Sequence, residues 1–575
     1  MAPTQEKAIP SNEERKEWPV LVHVVAPAKT ERFPIDLVAV LDVSGSMTKA
    51  TSMHGWTRLD LVKGAMKMVT NKLGAGDRLA IVPFNGKVVA AGATRLMEMT
   101  TKGRADANAK VNQLKAGGDT KFLPALKHAS GLLDSRPAGD KQYRPGFIFL
   151  LSDGQDNGVL DDKLGGVRYP AHTFGMCQSR CNPKSMVHIA TATKGSYHPI
   201  DDKLSNVAQA LAVFLSGITS AVAVNARVQL HVADNSGVLI NKIDSGAYDK
   251  TIESGNGKAS SKGTINVGVL SAEEDKKFIV YLDVPKLENA QAKPPQLLLT
   301  VAGEYSTPAG GRKVENMEES SVQVERPAAA GGATKTGDHL VTWSEAVMVE
   351  MVRVKVVSIV KKHEHDEEPD QKQMAKDLME EWDKFIKETP AGKDAAERLK
   401  EKLPKHHVED MRRSLTKEEH DGVLYLYSWL ASHQTQQATT MASSPPAGVN
   451  GWFHQQYMKQ VAVDAEFDAC GIQPGVETTE IDATADCGCV VGLQDRIDRR
   501  LELWSNLKRE APLMFQPSED AESHHLTAAV VHASNLRRCY SGAGKQQLHG
   551  YGSSELPAHD DEALPATRAV EKHSE

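Results

Sequence analysis

The chain has 575 residues, too many for one hydrophobic core, and is expected to fold as about three or four domains. Its hydrophobic content of 40% and charged content of 25% are those of an ordinary globular protein. A net charge of -7, with no basic stripe carrying interleaved aromatics, argues against a general nucleic-acid binder. No stretch approaches the ~20 apolar residues of a membrane-spanning helix. The six cysteines are sparse, and none precedes Cys177, so a disulfide scaffold is not expected and a reducing compartment fits.

In chain order, residues 1–17 form a polar leader expected to be disordered. It has no signal-peptide or transit-peptide pattern, so an intracellular, cytoplasmic location is expected. Residues 18–27 contain a β-branched strand, Trp18 to Ala26, stopped by Pro27, which could cross over to complete a later β domain. From residue 33 to residue 219 strands and helices alternate. Leu37 to Leu41 reads as a strand buried on both faces, and Leu59 to Leu73 as an amphipathic helix. Strands over Arg78–Phe84, Gly146–Leu151 and Tyr169–Phe174 follow, interleaved with helices over Ala105–Leu114, Pro124–Leu133, Pro183–Thr193 and Leu204–Ile218. This alternation predicts a doubly wound α/β fold, a parallel sheet with helices on both faces.

The strand over Leu37–Leu41 ends in Asp42, Ser44 and Ser46, spaced two apart around Gly45. Gly117-Gly118-Asp119-Thr120 precedes a helix, and Phe147 to Leu151 ends in Ser152-Asp153-Gly154. Carboxylates and hydroxyls at the carboxyl ends of parallel strands stand where open α/β sheets bind ligands. With no thiol or imidazole among them, they suit a hard cation. Asp-x-Ser-x-Ser, a Thr loop and Ser-Asp-Gly, in that order, resemble the metal-ion-dependent adhesion site of von Willebrand factor type A domains. The resemblance covers roughly Ile35 to Ser216. It implies that Asp42, Ser44, Ser46, Thr120 and Asp153 hold Mg²⁺, with Mn²⁺ or Ca²⁺ as substitutes. It also implies an open position on the ion that an Asp or Glu of a protein partner fills.

Beyond Ser220 the hydrophobic period changes to two. Short alternating strands such as Arg227–Val232, Gly263–Leu270 and Lys277–Val284 predict a β-sandwich over residues 220–327. Residues 328–341 are a Gly- and Ala-rich linker. Residues 342–440 are a helical region opened by the capping-box pattern Thr342-Trp343-Ser344-Glu345. A partly helical extension over 441–515 and a polar tail over 516–575, expected to be disordered, complete the chain. A β module after an A domain, and the run Ser432 to Thr439, are similar to a plant family of A-domain proteins. Some members of that family carry a RING zinc finger ahead of the A domain and resemble ubiquitin ligases; this sequence has no cysteine there, so ligase activity is not expected.

Other motifs are read plainly. Cys177-x-x-x-Cys181, the later cysteines with His524 and His525, and the charged run at His363 are expected to be free thiols or solvated charges rather than zinc sites. A phosphotransferase nucleophile at Asp42 would call for an acid two residues on, where Ser44 stands. The expectation is therefore a protein-interaction scaffold that is not an enzyme and captures an acidic partner through Mg²⁺. A regulatory subunit with a structural metal is the alternative, and a metal-assisted phosphohydrolase comes third.

Overall fold

The computed structural model describes residues 8–26, 32–51, 55–154, 156–160, 164–176, 183–200, 204–253, 260–272, 274–287, 293–308, 314–328, 344–362, 371–388, 421–437 and 439. The six cysteines, His363, His524 and His525, the linker over 329–341, and everything from 440 onward lie outside them.

The first module contains β2 (Asp36–Asp42), after a leading strand β1 (Arg15–Val25), then α1 (Arg58–Lys72), β3 (Arg78–Phe84), β4 (Met97–Glu98), α2 (Thr101–Asn112), α3 (Phe122–Asp134) and α4 (Ala138–Tyr143). It continues with β5 (Gly146–Ser152), β6 (Ala171–Met176), α5 (Lys184–Thr193), β7 (Tyr197–Ile200) and α6 (Leu204–Thr219). Six strands form one sheet in the order β4-β3-β2-β5-β6-β7. All pairs are parallel except the short edge strand β4, which runs antiparallel to β3. The sheet is thus mixed rather than wholly parallel.

Central strand β2 shows why both faces must be covered. Leu37, Ala39 and Leu41 pack into a core with Val62 and Met66 of α1 and Phe214 of α6. Val38 and Val40 point the other way, into a core with Phe122 and Leu126 of α3. Each side chain on a strand faces opposite to its neighbours, so an unbroken apolar run needs a helical layer on each side.

A sheet-rich region follows: β8 (Ala221–Val232), β9 (Leu239–Asp244), β10 (Asp249–Ile252), β11 (Lys262–Ser271), β12 (Asp275–Val284), β13 (Lys293–Ser306), β14 (Val314–Asn316) and β15 (Ser320–Arg326). One sheet is ordered β1-β12-β9 and the other β10-β11-β8-β13-β14, with β15 also on β13. Their inner faces share a core that includes Trp18, Val22, Leu230, Ile265 and Leu282. Strand β1 pairs antiparallel with β12, with Leu21 opposite Ile279. Residues 8–17, expected to belong to a disordered leader, pack against the β region. Ile9 is fully buried, and its N–H donates to Glu325 O at 2.9 Å. Leu287 N–H donates to Ser11 O at 2.7 Å. Ile9, the buried Ser11 and the backbone bonds at this edge fasten residues 8–14, and Arg15–Glu17 already belong to β1.

Helices α7 (Glu345–Lys361), α8 (Gln371–Glu388) and α9 (Asp421–Thr435) add Val356, Ile359, Met374, Leu426 and Trp429 to the core on the α3 side. The chain leaving α9 is tied to both modules. Thr439 Oγ1 donates to Tyr197 O at 2.8 Å, and Lys276 Nζ donates to Gln436 O at 2.6 Å. Among the described residues, no helix is long and apolar enough to cross a membrane.

Candidate metal centre

At the carboxyl end of β2 the chain turns through a short 3-10 segment, Gly45–Thr48, before α1. The 117–120 loop is fastened to this turn by backbone bonds. Gly45 N–H donates to Gly118 O at 2.9 Å, and Gly117 N–H donates to Val43 O at 2.8 Å. Gly118 has φ +93°, and a Cβ there would meet Asn85 Nδ2 at 2.7 Å, so only glycine passes this point without strain.

Four of the five candidate residues form a continuous hydrogen-bonded chain. Ser44 N–H donates to Asp42 Oδ1 at 2.7 Å. The hydroxyls of Ser44 and Ser46 lie 3.0 Å apart, and Ser46 Oγ donates to Asp153 Oδ1 at 2.6 Å. Thr120, the fifth, sits against the residue after Asp153: a Cβ built on Gly154 would lie 3.2 Å from Thr120 Oγ1. Three segments far apart in sequence therefore meet at one edge of the sheet.

Three further residues belong to the same neighbourhood. The Ser152 hydroxyl donates to Asp42 Oδ2. Arg58, the first residue of α1, forms an ion pair through Nη1 with Asp153 Oδ2. Phe122 N–H donates to Asp156 Oδ2 at 2.8 Å, which fastens the start of α3 just beyond the Thr120 loop. Ser152 belongs to the Ser-Asp-Gly triplet and could have been read from it. Arg58 had a fainter signal: Thr57-x-x-Asp60 is a capping box, and it fixes where α1 begins and which residue leads it.

Asp42 is fully buried, and burial pushes its carboxyl up to about 6, only partly offset by the bonds from Ser152 and Ser44. Two carboxylates and three hydroxyls, all oxygen, fit a hard divalent cation. Among the described residues no group of three or more His, Cys, Asp or Glu is placed to hold a metal ion, and the candidate set here has three hydroxyls to two carboxylates.

The family profile for the von Willebrand factor type A domain matches residues 37–155, which span β2 through the Asp153 turn. This segment is a von Willebrand factor type A domain. The chain is also 29% identical over 296 residues to the E3 ubiquitin-protein ligase WAV3 of Arabidopsis thaliana, covering 51% of this chain and 36% of that protein. It is 33% identical over 270 residues to the probable E3 ubiquitin-protein ligase WAVH2 of the same plant, covering 45% and 33%. The chain thus spans about a third of the length of these curated relatives. Among solved structures, the von Willebrand factor type A protein of Catenulispora acidiphila aligns over 70% of this chain and 90% of its own, at 17% identity and a TM-score of 0.47.

These relatives correct one expectation. The chain is expected from its sequence not to be an enzyme, because no cysteine precedes Cys177 to build a RING finger and Ser44 stands where a phosphotransferase needs an acid. Its curated relatives are named E3 ubiquitin-protein ligases, and such ligases are enzymes. Those names belong to proteins of whose length this chain spans about a third, so they remove the expectation without assigning their activity to this chain.

Proposed function

We propose that this chain serves ubiquitin ligation, as its curated relatives are named for, by binding a protein through its A domain. Proteins with A domains mediate protein interaction and adhesion. In this reading Asp42, Ser44, Ser46, Thr120 and Asp153 hold a divalent cation, Mg²⁺ first, and a carboxylate of the partner completes the site. The observation that carries it is the convergence of Ser44, Ser46 and Asp153 in one hydrogen-bonded chain, with Thr120 against Gly154.

Each residue has a physical part. Asp42 is held rigid by the Ser44 amide and the Ser152 hydroxyl, so its free lone pairs keep one direction. Ser44 and Ser46 offer neutral oxygens, which hold a cation without cancelling its charge. The Thr120 loop, pinned by the Gly45 and Gly117 backbone bonds, brings a third hydroxyl to the same edge. A divalent cation bound there supplies a Lewis-acidic centre for an incoming carboxylate.

Isothermal titration of Mn²⁺ or Mg²⁺ into the wild type and Asp42→Ala tests the cation. Capture from lysate with and without EDTA, read by mass spectrometry, tests the partner. The expected result is a set of captured proteins lost both with EDTA and in Asp42→Ala. Capture indifferent to both treatments would remove the reading.

A further inference from the structure

The ion pair between Arg58 and Asp153 has no place in a site built only to hold a cation. Arg58 stands at the first position of α1, where the positive end of the helix dipole disfavours a basic side chain. Its side chain is nonetheless 9% exposed and that of Asp153 fully buried, so the pair is a committed one. Both Asp153 oxygens are taken, Oδ1 by the Ser46 hydroxyl and Oδ2 by the guanidinium. Among the described residues, Asp42 accepts from neutral donors, the Ser44 amide and the Ser152 hydroxyl. The two carboxylates of the site are therefore unequal: one has its own resident cation and the other does not.

We propose that Arg58 is a built-in competitor for the divalent cation, a positioning residue that keeps the cation-free A domain intact and holds its affinity for the ion low. The inference rests on the cation reading above. With Arg58 in place, an entering ion meets one uncompensated carboxylate rather than two, and it must share or displace the guanidinium at the other. Once the ion is bound, two carboxylates, one arginine and a divalent cation leave the site with one net positive charge. A partner's carboxylate would cancel that charge, so the same arginine that weakens ion binding favours an acidic partner once the ion is in place.

The test compares the wild type, Arg58→Gln and Arg58→Lys in the full chain, with Mn²⁺ as the probe. Arg58→Gln is expected to bind Mn²⁺ at least about tenfold more tightly by titration calorimetry. Its cation-free thermal midpoint should fall, because Asp153 is then buried without a counter-ion, and saturating Mn²⁺ should restore it. A merely structural arginine would give the fall with no gain in Mn²⁺ affinity, and that overturns the proposal. If the wild type binds Mn²⁺ and Arg58→Gln binds it equally or more weakly, the proposal is overturned while the cation reading stands. If neither binds and Asp42→Ala matches the wild type, both fall. Should Arg58→Gln fail to fold with and without Mn²⁺, Arg58→Lys decides. Its shorter ammonium holds Asp153 less closely and should gain a few-fold in affinity, and no gain overturns the proposal.

Discussion

Strand β2 begins at Asp36 and ends at Asp42, and both side chains are fully buried. Their surroundings differ in kind. Asp36 accepts from Arg78 Nε and Nη2 at 2.7 Å each and from Arg136 Nη1 at 2.7 Å, with Arg144 Nε at 3.5 Å. In return, the bonds to Asp36 hold the Arg78 guanidinium's pKa above its ordinary value. Asp42 has the Ser44 amide and the Ser152 hydroxyl, and burial raises its carboxyl to about 6. The same residue type on one strand is thus charge-balanced within the chain at one end and not at the other. A buried carboxylate ringed by arginines ties elements together. One held only by neutral donors has room in its charge balance for an ion from outside, and it stands at the edge where α/β sheets bind ligands.

Breaking the balanced end should have the largest effect. Asp36→Asn leaves three guanidinium groups around a neutral amide, with Asp140 still paired to Arg78, and the expected loss of stability is about 3–5 kcal/mol. Urea denaturation reads it, and added Mg²⁺ should recover none of it. A loss under about 1 kcal/mol would mean that the arginines find other partners and that the contrast between the two ends is overstated.

The same change at the other end should act on binding instead. Asp42→Asn is expected to weaken Mg²⁺ binding by on the order of 100-fold while leaving the cation-free protein at least as stable as the wild type. Calorimetric titration and thermal denaturation without cation, run on the same preparation, separate the two effects.

Acidity sharpens the comparison further. The folded Asp42 carboxyl, raised from 3.8 to about 6, binds its proton more tightly than the unfolded one. Its contribution is therefore fully present below about pH 4 and is lost as the pH rises through 6. Without cation, the wild type and Asp42→Asn should be nearly equal in stability at pH 4. By pH 7 the wild type should be the weaker by as much as about 3 kcal/mol. Saturating Mg²⁺ should close that gap. Denaturant midpoints at the two pH values, with and without the ion, measure it. A gap that widens on acidification instead would show that Asp42 is stabilised as a carboxylate.

Much of this contrast was legible in the residues. Leu37 to Leu41 is apolar without interruption, so a two-sided strand followed, and its Asp-x-Ser-x-Ser ending pointed to the carboxyl edge. Thr120 and Asp153 could be joined to it by resemblance because each closes or opens a regular element. Asp36 gave no such signal. Its partners Arg78, Arg136 and Arg144 come from three places in the chain and meet only when β3 and the segments flanking α4 pack together. Arg58 was hidden for the same reason, since a basic residue at the head of a helix reads as solvent-facing until the Asp153 turn arrives beside it. Ile9 was hidden for another reason: one apolar residue in a polar leader says little until there is a sheet edge to receive it.

The smallest expected effect tests how Arg58 is held. Thr57 Oγ1 accepts from Asp60 N–H at 3.2 Å, while Asp60 Oδ2 accepts from Thr57 N–H at 2.9 Å and from its hydroxyl at 2.7 Å. These bonds lower the Asp60 carboxyl's pKa and fix the first turn of α1, which Arg58 leads. Thr57→Ala should cost about 1 kcal/mol, the ordinary value of a helix cap. Its effect on Mn²⁺ affinity should be under about threefold, because a buried ion pair orients the guanidinium more strongly than a half-buried cap can. A change in affinity as large as that of Arg58→Gln would place the control of this site in the capping box rather than in the pair. The contrast between the two ends of β2 would then depend on how α1 starts as much as on which charges face each carboxylate.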